Sequence, residues 1–532
     1  MEKTKKFEWK KHLMPLGMLS IFVVFLLISS YEKLVNAREV DPYILMCIGI
    51  MCTLAILVYA TYYCLFIKKI AFEKCYLLVG IVMGIIFMFV IPLYNTPDEN
   101  AHIGFAYHVS NAILGYDKEI EGVPYALREC ELNAEVSGVV SQFASRTTYN
   151  NVLFNLFKVE GAEGNAVYAA PERAASTYLL HVIPGIGVTI GRLLSWGVVP
   201  TLLLGTLFNM LFFVGSAYYA MKKIPFGKMM LASVCLLPMS LQQISSYSYD
   251  NTLLAAIMVV FALGLRWGFS SEKIKKSEVA IYCVYSIILV IGKSAVYSFF
   301  CLLPIVYKIS KDKVQEIWKK YKKFIILICA IGCLVAIILI PIILSILGGT
   351  PMEVTAEDGT IIVYENYIQW ANEEGYTIKG LLMHPREAFN VLVNTLIVKG
   401  DFYLLSMYGY SLGQFQIGIP LVIIMMYAAI GVLSAICIEG KNVLSVNHKV
   451  IMTFLVLVSA GLCVLSMWLY WTPRSYGYIE GVQGRYFLPP YVVALFCIGG
   501  ENFRLKKNIE RELLLCNVLI GTIMVFSILR QF

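Results

Sequence analysis

CYLLVGIVMGIIFMFVIPLYNTPDENAHIGFAYH, residues 75–108, begins as a run that only lipid suits and then turns abruptly polar. A helix needs about 20 predominantly apolar residues to cross a bilayer core, and 75–94 supplies them without a charge after Lys74. Asp98, Glu99 and His102 follow at once, where such a chain leaves the membrane. The stretch therefore fixes the fold class as membrane-spanning helices and raises the question of what acidic residues do at the edge.

The rest of the 532-residue chain reads the same way. It is 59% hydrophobic and 15% charged, with a mean hydropathy of +0.72. So little charge could not screen so much apolar surface in water, and the apolar residues come in membrane-length runs. The expected fold is all-α, polytopic, with about 13 transmembrane helices. A basic start, MEKTKKFEWKKH, followed by a long apolar run with no small-residue cleavage site, predicts an uncleaved first span. The net charge of +8 is spread between spans as topology signals and implies no nucleic-acid partner. Of 14 cysteines, Cys130 alone lies in a long polar segment, and no disulfide framework or zinc spacing appears.

Lysine and arginine placement orients the chain. A cytoplasmic N-terminus gives spans near 13–33, 43–67 and 75–94, delivering TPDENAH to the external face. Residues 95–198 form a first external loop with juxtamembrane helices; its 95–175 portion holds eleven Asp/Glu against five Lys/Arg. STYLLHVIPGIGVTIGRLL, at 176–194, reads as a surface or re-entrant helix. Spans follow near 199–221, 229–246 and 251–268, then a hairpin of 279–292 and 295–309 broken at GKS, and a span near 324–347. Residues 348–415 form a second external loop, with HPREAFNVLVNTLIV as an interfacial helix. Spans near 416–438, 450–471 and 487–500 and a last one complete a single transmembrane domain over 1–532.

This threading gathers the unusual polar residues on one face. Asp98, Glu99 and His102 end one span, Asp250 begins another, Lys293 tips the hairpin, and Arg474 and Arg485 bracket the last external segment. Each has a plain reading as well. The acidic pair in TPDE and the Asp of SYSYDN fit helix N-caps, Lys293 a snorkelling lysine, Arg485 an interfacial anchor, and the Tyr-rich stretches an aromatic belt. His102 and His108, six apart, suit no shared helical zinc site, so His102 reads as a hydrogen-bonding group and His108 as structural. Convergence favours function, because ionisable groups at membrane depth are costly and mark reaction or transport paths. Outward arginines suit a phosphate. A carboxylate facing them could take a proton from an attacking hydroxyl. Asp98, Glu99 and Asp250 could also hold a divalent ion, Mg or Mn, through oxygen ligands.

An outward span ending in PDENAH, a long first loop, SYSYDN and GVQGRYFLPP together resemble an uncharacterised bacterial multi-pass family, known as a domain of unknown function and similar to GT-C type glycosyltransferases. The resemblance runs from the third span to the penultimate one. It implies transfer of a sugar from a polyprenyl-phosphate donor on the outer face. It would make Asp98, or Glu99, the catalytic base. Asp250, with His102, would assist the acceptor or a metal, and Arg485, Lys293 and Arg474 would grip the lipid phosphate. Two apparent spans precede the acidic motif where the simplest members have one, and no large soluble C-terminal domain is present, which leaves acceptor recognition to the loops.

The expected function is thus a plasma-membrane glycosyltransferase acting among membrane lipids on a cell-envelope glycan or lipid-linked acceptor. A transporter or flippase of lipid-linked saccharides would use the same cavity for binding alone, and an inactive scaffold in a polysaccharide-assembly complex is a third reading. Paired repeats and mid-membrane broken helices would mark the transporter.

Overall fold

Apolar backbone in lipid must satisfy its own hydrogen bonds, so these segments have little choice but helix. The computed structural model describes residues 10–35, 40–115, 125–159, 165–168, 178–306, 352–355, 361–437, 444–499, 505 and 507–532. Its principal helices are α1 (Lys10–Val35), α2 (Pro42–Tyr62, continued by a π-helical turn to Ile67), α3 (Phe72–Val90), α4 (Glu99–Leu114), α5 (Arg146–Phe154), α6 (Val182–Leu193), α7 (Val198–Lys223) and α8 (Lys228–Cys235). Then come α9 (Pro238–Ile244), α10 (Asp250–Phe269), α11 (Lys276–Ile291), α12 (Pro385–Tyr408), α13 (Leu421–Ile436), α14 (Val446–Tyr470), α15 (Leu488–Ile498) and α16 (Glu510–Leu529). Strands among the described residues are confined to two-stranded antiparallel hairpins. The fold is an all-α polytopic membrane protein.

Among the described residues eight helices are long and apolar enough to cross a membrane: α1, α2, α3, α7, α10, α12, α14 and α16. Three shorter apolar helices lie at Val182–Leu193, Leu421–Ile436 and Gly484–Ile498. Among the described residues fewer helices reach spanning length than the thirteen spans expected, for identifiable reasons. The expected span at 229–246 is two short helices, because Pro238 cannot donate to the turn before it and holds Leu237 extended. The 279–309 hairpin contains one 16-residue helix, α11, followed by 3-10 turns at Lys293–Ala295 and Ser298–Leu302. The expected span at 324–347 lies outside the described residues. In the opposite direction, the helix expected at the interface over 384–398 runs on to Tyr408 and reaches spanning length. The 348–415 connection therefore carries a helix as long as a span. α6, by contrast, has 12 residues and is too short to cross.

α10 is the centre of the molecule. Protein covers 83% of its apolar window, against 17% for α1 and for α12. It packs on α7, α11 and α15. Its charges sit at its ends: Asp250 opens it, and Arg266 near its close is joined to Glu278 at 3.0 Å and Glu272 at 2.7 Å. At a rise of about 1.5 Å per residue, these two ends stand roughly 25–30 Å apart, a bilayer core's thickness.

The first long connection is tied down by a buried ionic knot. Glu131 accepts from Arg192 Nη2 at 2.8 Å and pairs with Arg128 Nη2 at 2.7 Å. Arg192 reaches Asn111 Oδ1 at 2.7 Å and lies 4.4 Å over the Tyr107 ring, while Arg128 Nη1 donates to the Trp196 carbonyl at 2.8 Å. The knot joins α4, α6 and the 129–132 turn. Replacing Glu131 by Ala strands two buried guanidinium groups. It should cost about 3–5 kcal/mol, read as a lower thermal-unfolding midpoint in detergent. Burial alone would raise the Glu131 carboxyl, but Arg192 and Arg128 outweigh it and hold it below the usual 4.5. A depressed acid stabilises above its unfolded value and loses that contribution as pH falls through the folded one. The gap between the native chain and a Glu131→Gln variant should thus be full at neutral pH and narrow on acidification below 4.5.

Candidate functional site

Four charged residues from three distant parts of the chain meet where α4, α10 and α15 begin. Arg485 donates from Nη2 to Asp98 Oδ2 at 2.6 Å and from Nη1 to the Pro97 carbonyl at 3.1 Å. Its Nε lies 3.2 Å from Asp250 Oδ2 but off the line of a hydrogen bond, so this buried N–H has no aligned acceptor among the described residues. Asp250 Oδ1 accepts from Lys293 Nζ at 2.8 Å, and Lys293 Nζ also sits 3.3 Å from the centre of the Tyr486 ring. Arg485 is 4% exposed and Asp250 10%, whereas Asp98 is 59% exposed. The cluster is a buried floor of alternating charge with one carboxylate at its mouth.

Local backbone places each member. Pro97 and Asp98 lead into α4, and Asp98 stands at its N-cap with φ of 63° and ψ of 10°, in the left-handed region that Asp tolerates better than most residues. Its side chain caps nothing. The turn before it is pinned from two sides: Asn95 Nδ2 donates to the Gln142 carbonyl at 2.7 Å, and Gln414 Nε2 to the Thr96 carbonyl at 3.0 Å. Asp250 is the first residue of α10, behind Tyr249, and likewise makes no capping bond. Lys293, just past α11, has φ of 48°, unusual for a long side chain. Such conformations cost on the order of 1–3 kcal/mol and persist where surrounding structure imposes them. Arg485 follows Gly484, where a Cβ would run into backbone at Met407 and Ser406. The Gly484 amide donates to Ser406 Oγ at 3.1 Å. Glycine thus lets the 3-10 turn Gly484–Phe487 lie flat against the end of α12.

The N-cap and snorkelling readings of Asp98, Asp250 and Lys293 therefore give way to ion pairing. Glu99 is not at the mouth. It is 2% exposed, and its oxygens accept from the Thr96 amide at 3.0 Å and the Tyr247 amide at 3.3 Å. That geometry braces the turn carrying Asp98 and turns the Glu99 carboxylate away from solvent. His102 is also set back: its Nδ1 lies 2.9 Å from His181 Nε2, and both rings abut the edge of Tyr249, next to Asp250. His108 stacks on Tyr178 at 4.1 Å between ring centres. Arg474 stands apart from the cluster. It is half-exposed, with Glu374 at 3.6 Å and Glu387 at 3.9 Å, because its loop is drawn to the 367–374 hairpin by a bond from its own amide to the Glu374 carbonyl at 2.8 Å.

The suggestion that Asp98, Glu99 and Asp250 hold Mg or Mn does not fit this arrangement. Asp250 is matched to two cations, Glu99 to two backbone amides, and no set of three His, Cys, Asp or Glu among the described residues is grouped to hold a metal ion. Sequence reasoning missed Tyr486, whose ring lies against Lys293, and Tyr297, whose hydroxyl donates to the Tyr486 carbonyl at 2.8 Å. It also missed His181, 79 positions from the partner it touches. RYF beside the glycine was the available signal for Tyr486; nothing local marks the other two.

Residues 81–495 match the family described as Predicted membrane protein (DUF2142), and the chain belongs to that family. All four members of the charged cluster lie inside the matched region. No curated protein and no solved structure matches the chain.

Burial raises the Glu99 carboxyl to about 7, the two amide donors offsetting only part of that cost. The sign follows: an acid whose folded pKa exceeds its unfolded one binds more protons when folded, so stability falls as pH rises between the two values. The native chain should lose up to about 3 kcal/mol between pH 4.5 and 7 from this group. A Glu99→Gln variant should lack that component of the slope in thermal-unfolding profiles taken across the same range.

Proposed function

We propose that this DUF2142 member is a plasma-membrane glycosyltransferase that moves a sugar from a polyprenyl-phosphate donor to a cell-envelope glycan or lipid-linked acceptor on the extracytoplasmic face. The observation that carries the reading is the pairing of an exposed carboxylate, Asp98, with a buried guanidinium, Arg485, that has an unaligned N–H and a lysine beside it. Desolvated cations of this kind are costly unless paired, so without donor the two aspartates hold them. A donor phosphate takes the Asp98 place on Arg485, with a planar fork that suits two phosphate oxygens. Released from Arg485, the already exposed Asp98 carboxylate is free to meet an incoming hydroxyl.

The reaction is then a substitution at the anomeric carbon. The acceptor oxygen bonds to that carbon as its hydroxyl proton passes to Asp98, and the bond from carbon to phosphate oxygen breaks. The phosphate leaves with the electron pair, its charge met by Arg485 and Lys293. Asp250 stays between the two cations and fixes their spacing, a positioning role for which its two contacts suit it. No protein metal ligand is required in this scheme.

The broken pair α8–α9, buried from Met229 onward, is a feature that a transporter of lipid-linked saccharides would share. Bond making separates the readings. Full chain reconstituted with polyprenyl-phosphate sugars and membrane acceptors should release polyprenyl phosphate and label the acceptor. Asp98→Asn should lower that transfer by about 100-fold or more, the usual worth of a general base. Arg485→Lys should mainly weaken donor binding. Unchanged transfer by Asp98→Asn would refute the assignment, and movement of intact donor across the bilayer without its cleavage would favour the transporter.

A further inference from the structure

A second built surface lies seven residues before Arg485. The 367–376 and 471–478 segments are tied together by a bridge between Gly375 and Pro473, by the Arg474 amide on the Glu374 carbonyl at 2.8 Å, and by a Ser475–Glu373 hydrogen bond. Four of their six aromatic rings, Trp370, Trp471, Tyr476 and Tyr478, form one array. Trp370 and Trp471 lie 5.7 Å apart and 27° from parallel, and Trp370 stands 6.1 Å from Tyr476. Tyr476 and Tyr478 are parallel to within 2° at 5.9 Å. The Trp370 indole N–H is fixed on the Trp471 carbonyl at 2.9 Å, so the array is held rather than loose. Yet Trp370 is 46%, Trp471 45% and Tyr476 36% exposed.

Large rigid rings left this open call for a covering partner. A lipid belt is the ordinary one, but this surface is also acidic. The hairpin that presents Trp370 carries Glu373 and Glu374, and an adjoining cavity of about 210 Å³ is lined by Glu365, Glu374 and Glu387 with Lys379, His384 and Arg474, while Lys399 lies 5.2 Å from the centre of the Tyr478 ring. Carboxylates outnumber cations there, which disfavours an anionic headgroup. A saccharide chain fits both halves: its apolar C–H faces lie on flat rings, and its hydroxyls meet carboxylate acceptors and guanidinium donors. We propose that this platform binds a neutral saccharide chain. As the acceptor site it rests on the glycosyltransferase reading; as a binding site it stands alone. The connecting strap is fixed, with the Ile479 amide on Thr395 Oγ1 at 2.8 Å and Tyr403 donating to the Ile479 carbonyl at 3.0 Å. Seven residues reach at most about 25 Å, so a chain lying on the rings ends within an oligosaccharide's length of the charged cluster.

The test uses the detergent-solubilised full chain and three neutral hexasaccharides: maltohexaose, cellohexaose and mannohexaose. At least one should quench tryptophan fluorescence saturably at millimolar concentration, equally well in Asp98→Asn. Trp370→Ala and Tyr476→Ala should each weaken binding by about tenfold, the scale of an aromatic hot spot, with thermal midpoints unchanged. In a transfer assay Tyr476→Ala should raise the acceptor KM and spare kcat, while Asp98→Asn loses kcat. Absence of saturable binding by the native chain would overturn the platform whatever the variants do. So would equal binding by folded variants, or variants that lose only partition into phosphatidylcholine vesicles. Binding without any transfer would overturn the enzymatic reading and leave the platform standing.

Discussion

A guanidinium that is 4% exposed sits between two carboxylates, and the architecture is arranged around keeping it there. An unpaired Arg485 in that position would carry a penalty of several kcal/mol, and either aspartate alone would leave part of it uncompensated. The pairing draws together the start of α4, the start of α10 and the turn before α15, which lie far apart along the chain. Because Lys293 shares Asp250 with Arg485, the last turn past α11 is bound to the same centre. The ionic contact therefore holds four separate parts of the chain at one point.

Strain is placed where that contact needs it. Asp98 and Lys293 both adopt left-handed backbone, and Gly484 admits an approach that no other residue would. None of these is stable by itself. Around Asp98 and Gly484 the frame consists of ordinary hydrogen bonds at Asn95, Thr96 and Ser406, together with the Arg128–Glu131–Arg192 knot that anchors the connection leaving α4. A left-handed Asp points its carboxylate away from the helix amides it could have capped, and so towards Arg485. The cost of the cap is exchanged for the ion pair.

Much of this was legible in the sequence, and the limits are physical. Membrane-length apolar runs gave α1, α2, α3, α7, α14 and α16 because hydrocarbon leaves one solution for such segments. The convergence of Asp98, Asp250, Lys293 and Arg485 followed from alternating the spans and asking which polar residues fell at one end. Pro238 was visible, but whether a proline kinks a span or divides it depends on the packing around it, so 229–246 read as continuous. Arg474 was assigned to the cluster because positive residues near the membrane plane look alike in sequence; a backbone bond to Glu374, beyond any local pattern, drew it to another surface. His102 stands out by type, while its pairing with His181 and that of Glu131 with Arg192 join residues 79 and 61 positions apart, which no spacing rule encodes.

The adjacent acids Asp98 and Glu99 show how one dipeptide divides its labour. Chemically they are near equivalents, and in sequence either could be the base. Environment separates them: Asp98 keeps 59% of its side chain open and touches a cation, while Glu99 is 2% exposed and faces two amides. The buried acid is pushed up to about 7 and serves as an internal brace, whereas the open one can meet a diffusing hydroxyl. Exchanging them in place would put the longer side chain at the mouth and leave the shorter one unable to span Thr96 and Tyr247. Order within the pair, not composition, is then what sets the turn: the left-handed backbone at Asp98 sends one carboxylate outward, and the first helical residue, Glu99, turns the next one in.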